Sequence, residues 1–239
     1  MVRGAYVLLM LPLVLMVLMA SLTQPTSLPA SGGAWAGIGA QEVQEGDRAR
    51  SGGPSGIPFP ATAITGNWEV TGEEVRSDEV IVLTGNLTVK SGGNLTLLNV
   101  TLIMNCSYEG EFGITVEPGG ELNVLDGSNI TSFRANYWFH VQAGASFRME
   151  DSSLSKCGYT DGPTSARGLL IEANSTLVEN STISDCPYGL YILGAWWVVV
   201  RNCTFRSFSR AAIYGYGAHE LLVEGNDING TLILPGGAW

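Results

Sequence analysis

The feature that most constrains this chain is a side-chain pattern that recurs six times at one register. Each copy ends on a residue suited to a tight bend, namely Asn99, Asp126, Asp151, Asn180, Asn202 or Gly225. Seven residues before each bend stands a small residue: Gly92, Gly119, Gly144, Ala173, Ala195 or Ala218. The small residues are 22 to 29 positions apart. A repeat of this length cannot form a core alone and must bury its apolar face against neighbouring copies, as in a solenoid.

Apolar residues occupy the same three positions around every bend. Four residues before the bend come Leu95, Leu122, Phe147, Thr176, Val198 and Leu221, and two before it come Leu97, Val124, Met149, Val178, Val200 and Val223. About three residues after it come Leu102, Ile130, Leu154, Ile183, Phe205 and Ile228. Apolar residues two apart form one face of a strand. A β-sandwich would show alternation but no fixed register. The pattern predicts an all-β fold, a single-stranded right-handed parallel β-helix of about six to seven coils.

The chain divides into four regions by composition. Residues 1–21 have a charged start and an apolar run too short to span a bilayer, which is typical of a secretory signal peptide. A retained N-terminal anchor is the alternative. Residues 22–60 are rich in Gly, Pro, Ser and Ala and predict a disordered lead-in. Residues 61–89 are assigned to an N-terminal cap and first strands, and residues 90–239 to the coils.

The charge of the chain restricts its partners. The net charge is −10 and the only lysines are Lys90 and Lys156, which argues against nucleic acid. Contact with a membrane is expected only through the N-terminal segment if that segment is uncleaved. No cofactor or metal is predicted. We therefore expect a secreted or cell-surface protein whose partner is a polysaccharide or another cell-surface component.

Three of the four cysteines stand in a repeated phrase, as Cys106-Ser-Tyr, Cys157-Gly-Tyr and Cys186-Pro-Tyr. Cys157 and Cys186 follow the third apolar position by three residues, and other copies place Phe133 and Phe208 there. An alternation of Cys with Phe favours an inward core position. A disulfide between Cys157 and Cys186 is the second interpretation, because export would expose them to an oxidising environment. Zinc is the third and lacks a Cys-x-x-Cys pair.

Nine asparagines stand in N-x-[ST] sequons, the acceptor pattern for glycosylation. Three of them, Asn99, Asn180 and Asn202, are bend residues that we expect to be buried in a stacked ladder. Asn129 is a further sequon. The better glycosylation candidates lie near turns and are Asn86, Asn94, Asn105, Asn174 and Asn229.

No catalytic residue is predicted. His140 and His219 fall in different coils and have no Ser or Cys nucleophile beside them. The acids Glu117, Glu150, Glu172, Glu179 and Glu224 point outward on strands. We expect no two adjacent coils to present such acids at one register with a basic partner, so a solvated face is the favoured interpretation.

The connections that follow the third apolar position carry aromatic and charged side chains. The longest of them is an insertion at residues 156–167. The ligand-binding candidates on this edge are Tyr108, Tyr137, Trp138, Tyr159, Asp161, Arg167 and Tyr188. Aromatic rings there could stack on sugar rings. Alternatively, they cover the ends of the core, as amphipathic aromatic side chains commonly do.

Two stretches carry a resemblance to a known group. The phrases VIVLTGNLTVKSGGNLTLLNVTLIM, from Val80, and GITVEPGGELNVLDGSNITS, from Gly113, resemble right-handed β-helix repeats of prokaryotic cell-surface proteins in the pectate-lyase-like and NosD-like group. The resemblance implies the fold and export, and no catalytic residue of pectin-cleaving relatives has a counterpart here. The predicted function is a non-catalytic structural or interaction module that could bind carbohydrate. The alternatives are a polysaccharide lyase or hydrolase and a NosD-like accessory role in metal-cofactor maturation.

Overall fold

A computed structural model describes residues 61–234, so the predicted signal peptide and lead-in lie outside the described residues. The chain forms about eight coils of short parallel strands. Coils 1 to 4 are made of three strands each. Coil 1 contains β1 (Ala61–Thr65), β2 (Trp68–Val70) and β3 (Glu73–Ser77); coil 2 contains β4 (Val80–Thr84), β5 (Leu87–Val89) and β6 (Asn94–Leu98); coil 3 contains β7 (Thr101–Met104), β8 (Gly113–Val116) and β9 (Glu121–Leu125); coil 4 contains β10 (Asn129–Ser132), β11 (Trp138–Val141) and β12 (Ser146–Glu150). Coil 5 contains β13 (Ser153–Ser155), β14 (Leu169–Ile171) and β15 (Leu177–Glu179); coil 6 contains β16 (Thr182–Leu193) and β17 (Val199–Arg201); coil 7 contains β18 (Thr204–Tyr216) and β19 (Leu222–Glu224); coil 8 contains β20 (Asp227–Ile228) and β21 (Leu232–Ile233).

Each coil contributes to three faces that run along the helix axis. Face 1 begins with β1 and β4, face 2 with β2 and β5, and face 3 with β3 and β6, each strand pairing in parallel with its counterpart one coil away. The long strands β16 and β18 bend from face 1 onto face 2. Among the described residues, no helix is long and apolar enough to span a membrane.

The three predicted apolar columns are confirmed. Leu95 pairs in register with Leu122, Leu97 with Val124, and the column from Leu102 continues through Ile130 to Ile228. The members in coils 2 to 6 are buried and fill one continuous core. The prediction of six to seven coils falls slightly short of the observed number. The difference comes from a first coil and a short last coil that lack the full apolar pattern.

The first coil places charged residues where later coils place aliphatic ones. Glu74 aligns with Leu95, and Arg76 aligns with Leu97. Arg76 Nε bonds Glu79 at 2.7 Å, and its guanidinium lies 5.6 Å from the ring centroid of Trp68. Residues 61–89, which were assigned to a cap and first strands, form β1 to β5, and Arg76 is ion-paired and partly buried there.

The bend residues form a ladder of left-handed conformations. Asp78 and the predicted bends from Asn99 to Asn202 have φ between 47° and 54°, and Gly225 has 64°. Asn and Asp tolerate this conformation better than other non-glycine residues do. The expectation that Asn99, Asn180 and Asn202 are buried is wrong, because the bend turns their side chains outward. Asn180 and Asn202 are exposed, and Asn99 is half-buried with Nδ2 donating to Asp78 Oδ1 at 2.8 Å.

The small residues seven positions before the bends play two different roles. Gly92, Gly119 and Gly144 have φ of 79° to 85° and make the turn themselves. From coil 5 onward the small residue is a fully buried alanine, such as Ala173. The left-handed position then moves two residues on, to Ser175, Trp197 and Glu220.

The cysteines are core residues. All four are buried, free thiols, and Cys157 and Cys186 lie on adjacent coils with Cys186 Sγ accepting a hydrogen bond from Cys157 N at 3.3 Å. The core position that was expected for Phe133 belongs to Tyr137, which bridges to Cys157, while Phe133 is exposed. Burial raises the pKa of the Cys157 thiol well above its ordinary value, and it raises the pKa of Cys186 to about 12. The structure therefore supports the core interpretation and shows no disulfide between these two residues.

Candidate functional site

A cleft of about 360 Å³ opens on face 2, between the strands of coils 3 and 4 and the insertion of coil 5. We call it the face 2 cleft. It is lined by Thr115, Trp138, His140, Gln142, Tyr159, Pro163, Ser165 and Ala166. The lining combines two aromatic rings with hydroxyl, amide and imidazole groups. Pockets for small molecules commonly pair apolar walls with a few polar groups in this way.

Trp138 forms the floor of the cleft. In β11 the side chains alternate, so Phe139 and Val141 are buried in the core while Trp138 and His140 face outward. Trp138 pairs in register with Gly113 of β8. A Cβ atom on Gly113 would lie 2.1 Å from a carbon of the indole ring. The indole therefore lies directly across the backbone of the preceding coil, which is possible only because residue 113 is a glycine.

The insertion that follows β13 forms the opposite wall. It is closed by a hydrogen bond from Tyr159 N to Ala166 O at 2.7 Å, and it contains a short 3₁₀ turn, Thr164–Ala166. Asn136 Nδ2 donates to Gly158 O at 2.7 Å, which attaches the insertion to coil 4. The Tyr159 ring lies against Gly110 and Gly162. These contacts position Tyr159, which lines the cleft together with Trp138.

His140 is the one histidine of the cleft lining, and its imidazole contacts the carboxylate of Glu172. His140 Nε2 and Glu172 Oε2 are 2.8 Å apart, and both side chains are partly buried. Glu172 follows β14 in the next coil, so the pairing is a consequence of the register of face 2. This contact orients the ring and leaves Nδ1 as its other polar atom.

Of the predicted ligand-binding residues, only Trp138 and Tyr159 line the cleft. The prediction is wrong for Tyr137, which is fully buried and whose hydroxyl donates to Ile130 O at 3.3 Å. Tyr108 lies on the β7–β8 connection and is 64% exposed. Asp161 is exposed on the insertion and is not part of the lining.

Arg167 and Tyr188 belong to a second group of side chains further along face 2. Tyr191 and Tyr214 stack with ring centroids 4.6 Å apart and planes 14° apart, and Tyr188 packs edge-on against both. Arg167 Nη1 donates to the Tyr191 hydroxyl at 3.4 Å. We call Tyr188, Tyr191 and Tyr214 the tyrosine cluster. Arg167 is bound to this cluster through Tyr191 and is not among the residues that line the cleft.

The glycosylation candidates differ in how their amides are engaged. Asn86 Oδ1 accepts from Gly113 N at 2.9 Å, and Asn94 Oδ1 accepts from Asn123 Nδ2 at 3.4 Å. Asn105 Nδ2 donates to Thr84 Oγ1 at 3.1 Å. These three side chains are half-buried, whereas Asn174 and Asn229 are exposed. The last two therefore stay the more accessible candidates.

The expectation about the outward acids is wrong on face 3. Glu150 and Glu179 lie opposite each other in β12 and β15, and the next coil places Arg201 at the same register. Arg201 Nη2 bonds Glu179 at 2.8 Å, and Arg148 Nη2 bonds Glu150 at 2.8 Å. Each carboxylate is thus neutralised by a guanidinium. Within residues 61–234, no three His, Cys, Asp or Glu side chains come together as a metal site would require.

Sequence reasoning missed several residues that the coils bring together. Thr115 and His140 lie side by side at one outward register of face 2. Their alternation with buried residues in β8 and β11 was the available signal. The sequence reasoning also missed Trp196 and Trp197, which are 42% and 58% exposed at the corner between faces 2 and 3. A pair of adjacent tryptophans at a turn was the signal for that corner.

Comparison with known proteins supports the fold alone. The family model described as "Right handed beta helix region" matches residues 139–233, which run from β11 to β21. No curated protein sequence matches the chain. Among solved structures, trypsin-treated QnrB1, a plasmid-mediated fluoroquinolone resistance protein, is 8% identical and aligns over 68% of this chain and 78% of that chain with a TM-score of 0.19. A score this low supports no conclusion. The family match and the observed coils show that the chain is a right-handed β-helix repeat protein.

Proposed function

We propose that this chain is an exported, non-catalytic β-helix module that binds a neutral glycan in the face 2 cleft. The observation that supports this proposal best is the outward indole of Trp138, which lies across Gly113 and lines the cleft together with Tyr159. A pyranose has apolar ring faces and a rim of hydroxyl groups. The cleft offers aromatic walls for the ring faces, and Thr115, His140 and Gln142 for the rim.

The charges around the cleft favour a neutral ligand. Its lining contains no Lys or Arg, and its one imidazole already contacts Glu172. Lys90, further along face 2, bonds Glu117 at 2.9 Å. With a net charge of −10 for the chain, an anionic polymer would meet repulsion that no Lys or Arg of the cleft lining offsets.

The geometry gives little support to polysaccharide cleavage. Hydrolysis commonly needs two carboxyl groups on either side of the bond, and the cleft lining contains no carboxylate. Asp161 and Arg167 are the charged members of the predicted ligand-binding set. Asp161 is exposed on the insertion, and Arg167 is bound to Tyr191. The resemblance to the pectate-lyase-like group is consistent with a sugar ligand.

Calorimetric titration of the full chain tests this proposal. We would use three neutral hexasaccharides, cellohexaose, mannohexaose and chitohexaose, and compare them with hexagalacturonate. We expect at least one neutral sugar to bind more tightly than the uronate. Trp138→Ala should weaken binding by roughly tenfold or more, because a stacking ring contributes at least about 1.4 kcal/mol.

Phe133→Ala is the matched control, since Phe133 is 54% exposed and lies outside the cleft. Its affinity for the sugars should equal that of the wild type. Tighter binding of hexagalacturonate would refute the neutral ligand, and equal affinities for Trp138→Ala and wild type would refute the cleft. Cleavage of any hexasaccharide that is lost in His140→Ala would show that the module is an enzyme.

Export is tested separately, because it rests on the pattern of residues 1–21 and not on the cleft. We expect a reporter fused behind the lead-in to cross the membrane. Deletion of residues 1–21 should retain it in the cell. N-terminal sequencing of the exported chain distinguishes a cleaved signal peptide from a retained anchor.

A further inference from the structure

We infer that a second glycan-binding site lies at the corner between faces 2 and 3, where Trp196 forms a platform for a pyranose ring. We call Asn174, Trp196, Trp197 and His219 the corner platform. The inference goes beyond the proposed function, because this corner is separate from the face 2 cleft and shares no residue with its lining.

The register of the coils builds the platform. Trp196 and His219 form a parallel bridge between adjacent coils, and Trp196 N donates to Asn174 Oδ1 at 2.8 Å. Asn174, Trp196 and His219 therefore follow one another along the helix axis at one corner. Each coil contributes one member, so their side chains are neighbours at about the spacing of adjacent strands.

The indole of Trp196 is held flat with one face covered. Its ring and the His219 imidazole have centroids 4.1 Å apart and planes 21° apart. Trp197 lies at 5.9 Å with its plane tilted by 52°. Trp196 is thus stacked on His219 and still 42% exposed, which leaves part of the indole accessible to a ligand.

Trp197 has a backbone conformation that is unfavourable for a bulky residue. Its φ of 57° is shared by the equivalent residues Ser175 and Glu220, so the turn imposes it. A bulky residue is disfavoured there, and Asn or Gly would suit the turn better. The ring is also 58% exposed, so it recovers little of that cost through burial. Disfavoured conformations of this kind concentrate at functional sites.

The polar group beside the indole decides the kind of ligand. Asn174 Oδ1 is used by Trp196 N, and among the described residues the structure shows no partner for Asn174 Nδ2. The available group is thus a neutral N–H donor. It suits the hydroxyl and ether oxygens of a sugar and does not suit an ammonium or guanidinium group. Anionic lipids and nucleic acids are disfavoured by the net charge of −10.

Titration in two backgrounds tests the corner platform with the same three neutral hexasaccharides. In the wild-type background, Trp196→Ala should weaken the binding of the hexasaccharide with the highest affinity. In the Trp138→Ala background, it should lower the remaining affinity by tenfold or more. Phe133→Ala again serves as the control for loss of an exposed aromatic ring. Unchanged affinity for Trp196→Ala in both backgrounds would overturn the inference and leave the cleft untouched. Loss of binding in Trp196→Ala with no effect of Trp138→Ala would support the corner and refute the cleft.

Two further measurements separate binding from a structural or self-association role. Trp197→Asn keeps a residue that tolerates the turn, so we expect its unfolding midpoint not to fall while its sugar affinity does. A fall in the midpoint together with unchanged affinity would overturn a ligand role for Trp197. Analytical ultracentrifugation of wild type and Trp196→Ala should show the same species. A wild-type dimer that becomes a monomer in Trp196→Ala would make the corner an interface between copies and overturn the inference.

Discussion

At the scale of single residues, the face 2 cleft depends on one absent side chain. Gly113 has a buried backbone and lies beneath the Trp138 indole. Any Cβ atom at this position would occupy the space of the ring. The site is therefore set by the glycine of one coil as much as by the tryptophan of the next.

We predict that Gly113→Ala destabilises the fold and weakens sugar binding. The added methyl would push the indole off its position, and overpacking of this kind costs about 1 to 3 kcal/mol. Denaturant unfolding and the calorimetric titration measure the two effects. Gly72→Ala is the control, because its Cβ would meet no atom within 4 Å. Equal stability and affinity in the two variants would show that the indole does not need Gly113.

Which of two neighbouring aromatic residues points inward could not be predicted. Tyr137 and Trp138 are adjacent, and both were candidates for the surface. Alternation assigns them to opposite sides but does not say which is inside, because the length and path of the preceding corner decide that. Tyr137 fills the core beside Cys157, and Trp138 consequently faces the cleft.

At the scale of elements, every strand of face 3 ends at a bend residue in the same left-handed conformation. The bend residues share a positive φ from Asp78 to Gly225. Asn99 donates to Asp78, and the described structure shows no comparable amide contact for Asn180 or Asn202. Tolerance of the left-handed conformation, more than stacked hydrogen bonds, therefore explains why Asn and Asp recur.

We predict that Asn180→Gly leaves stability nearly unchanged and that Asn180→Ala lowers it. Alanine in the left-handed region costs about 1 to 2 kcal/mol, and glycine adopts it freely. The free energy of unfolding in denaturant is the measurement. Gly225→Ala, at the equivalent bend, should lose a similar amount. Alanine and glycine variants of equal stability would show that the bend is held by side-chain hydrogen bonds instead.

The register of the strands was predictable, and the shape of the turns was not. One aligned residue type in each coil is enough to place the strands, since inward positions are two apart. The turn before face 3 changes from a left-handed glycine at Gly144 to a buried Ala173 followed by Ser175. A small side chain suits both arrangements, so sequence alone does not separate them.

At the scale of the whole molecule, the core is one continuous column shared by all coils. Cys157 and Cys186 belong to it and are buried on adjacent coils. The fold class and the three apolar columns followed from the repeat. The first coil did not, because Glu74 and Arg76 replace its inward aliphatic residues. The cleft was only partly predicted, since its walls come from three successive coils and from an insertion whose path the repeat does not determine.

We predict that the stability of the chain falls as the pH rises above about 9. Burial raises the pKa of Cys186 to about 12 and that of Cys157 well above the ordinary value of 9.0. At a pH between 9.0 and about 12, the thiols of the unfolded chain ionise while the buried thiols of the folded chain keep their protons. The folded state then binds more protons, so the free energy of unfolding decreases with pH.

Each thiol contributes at most about 1.4 kcal/mol per pH unit to this decrease. Denaturant unfolding at a series of pH values measures it. The double variant Cys157→Ala/Cys186→Ala should show a shallower slope, whatever its absolute stability. An identical slope in the variant would mean that these thiols are not buried as protonated groups.

The central claim is that the coils of a right-handed β-helix bring Trp138, His140 and Tyr159 together around a neutral sugar. The most direct measurement is a crystal structure of the chain with the hexasaccharide that binds most tightly. We expect a pyranose stacked on the Trp138 indole, between Tyr159 and His140, on face 2. A sugar bound only elsewhere, or an indole buried away from face 2, would contradict the claim.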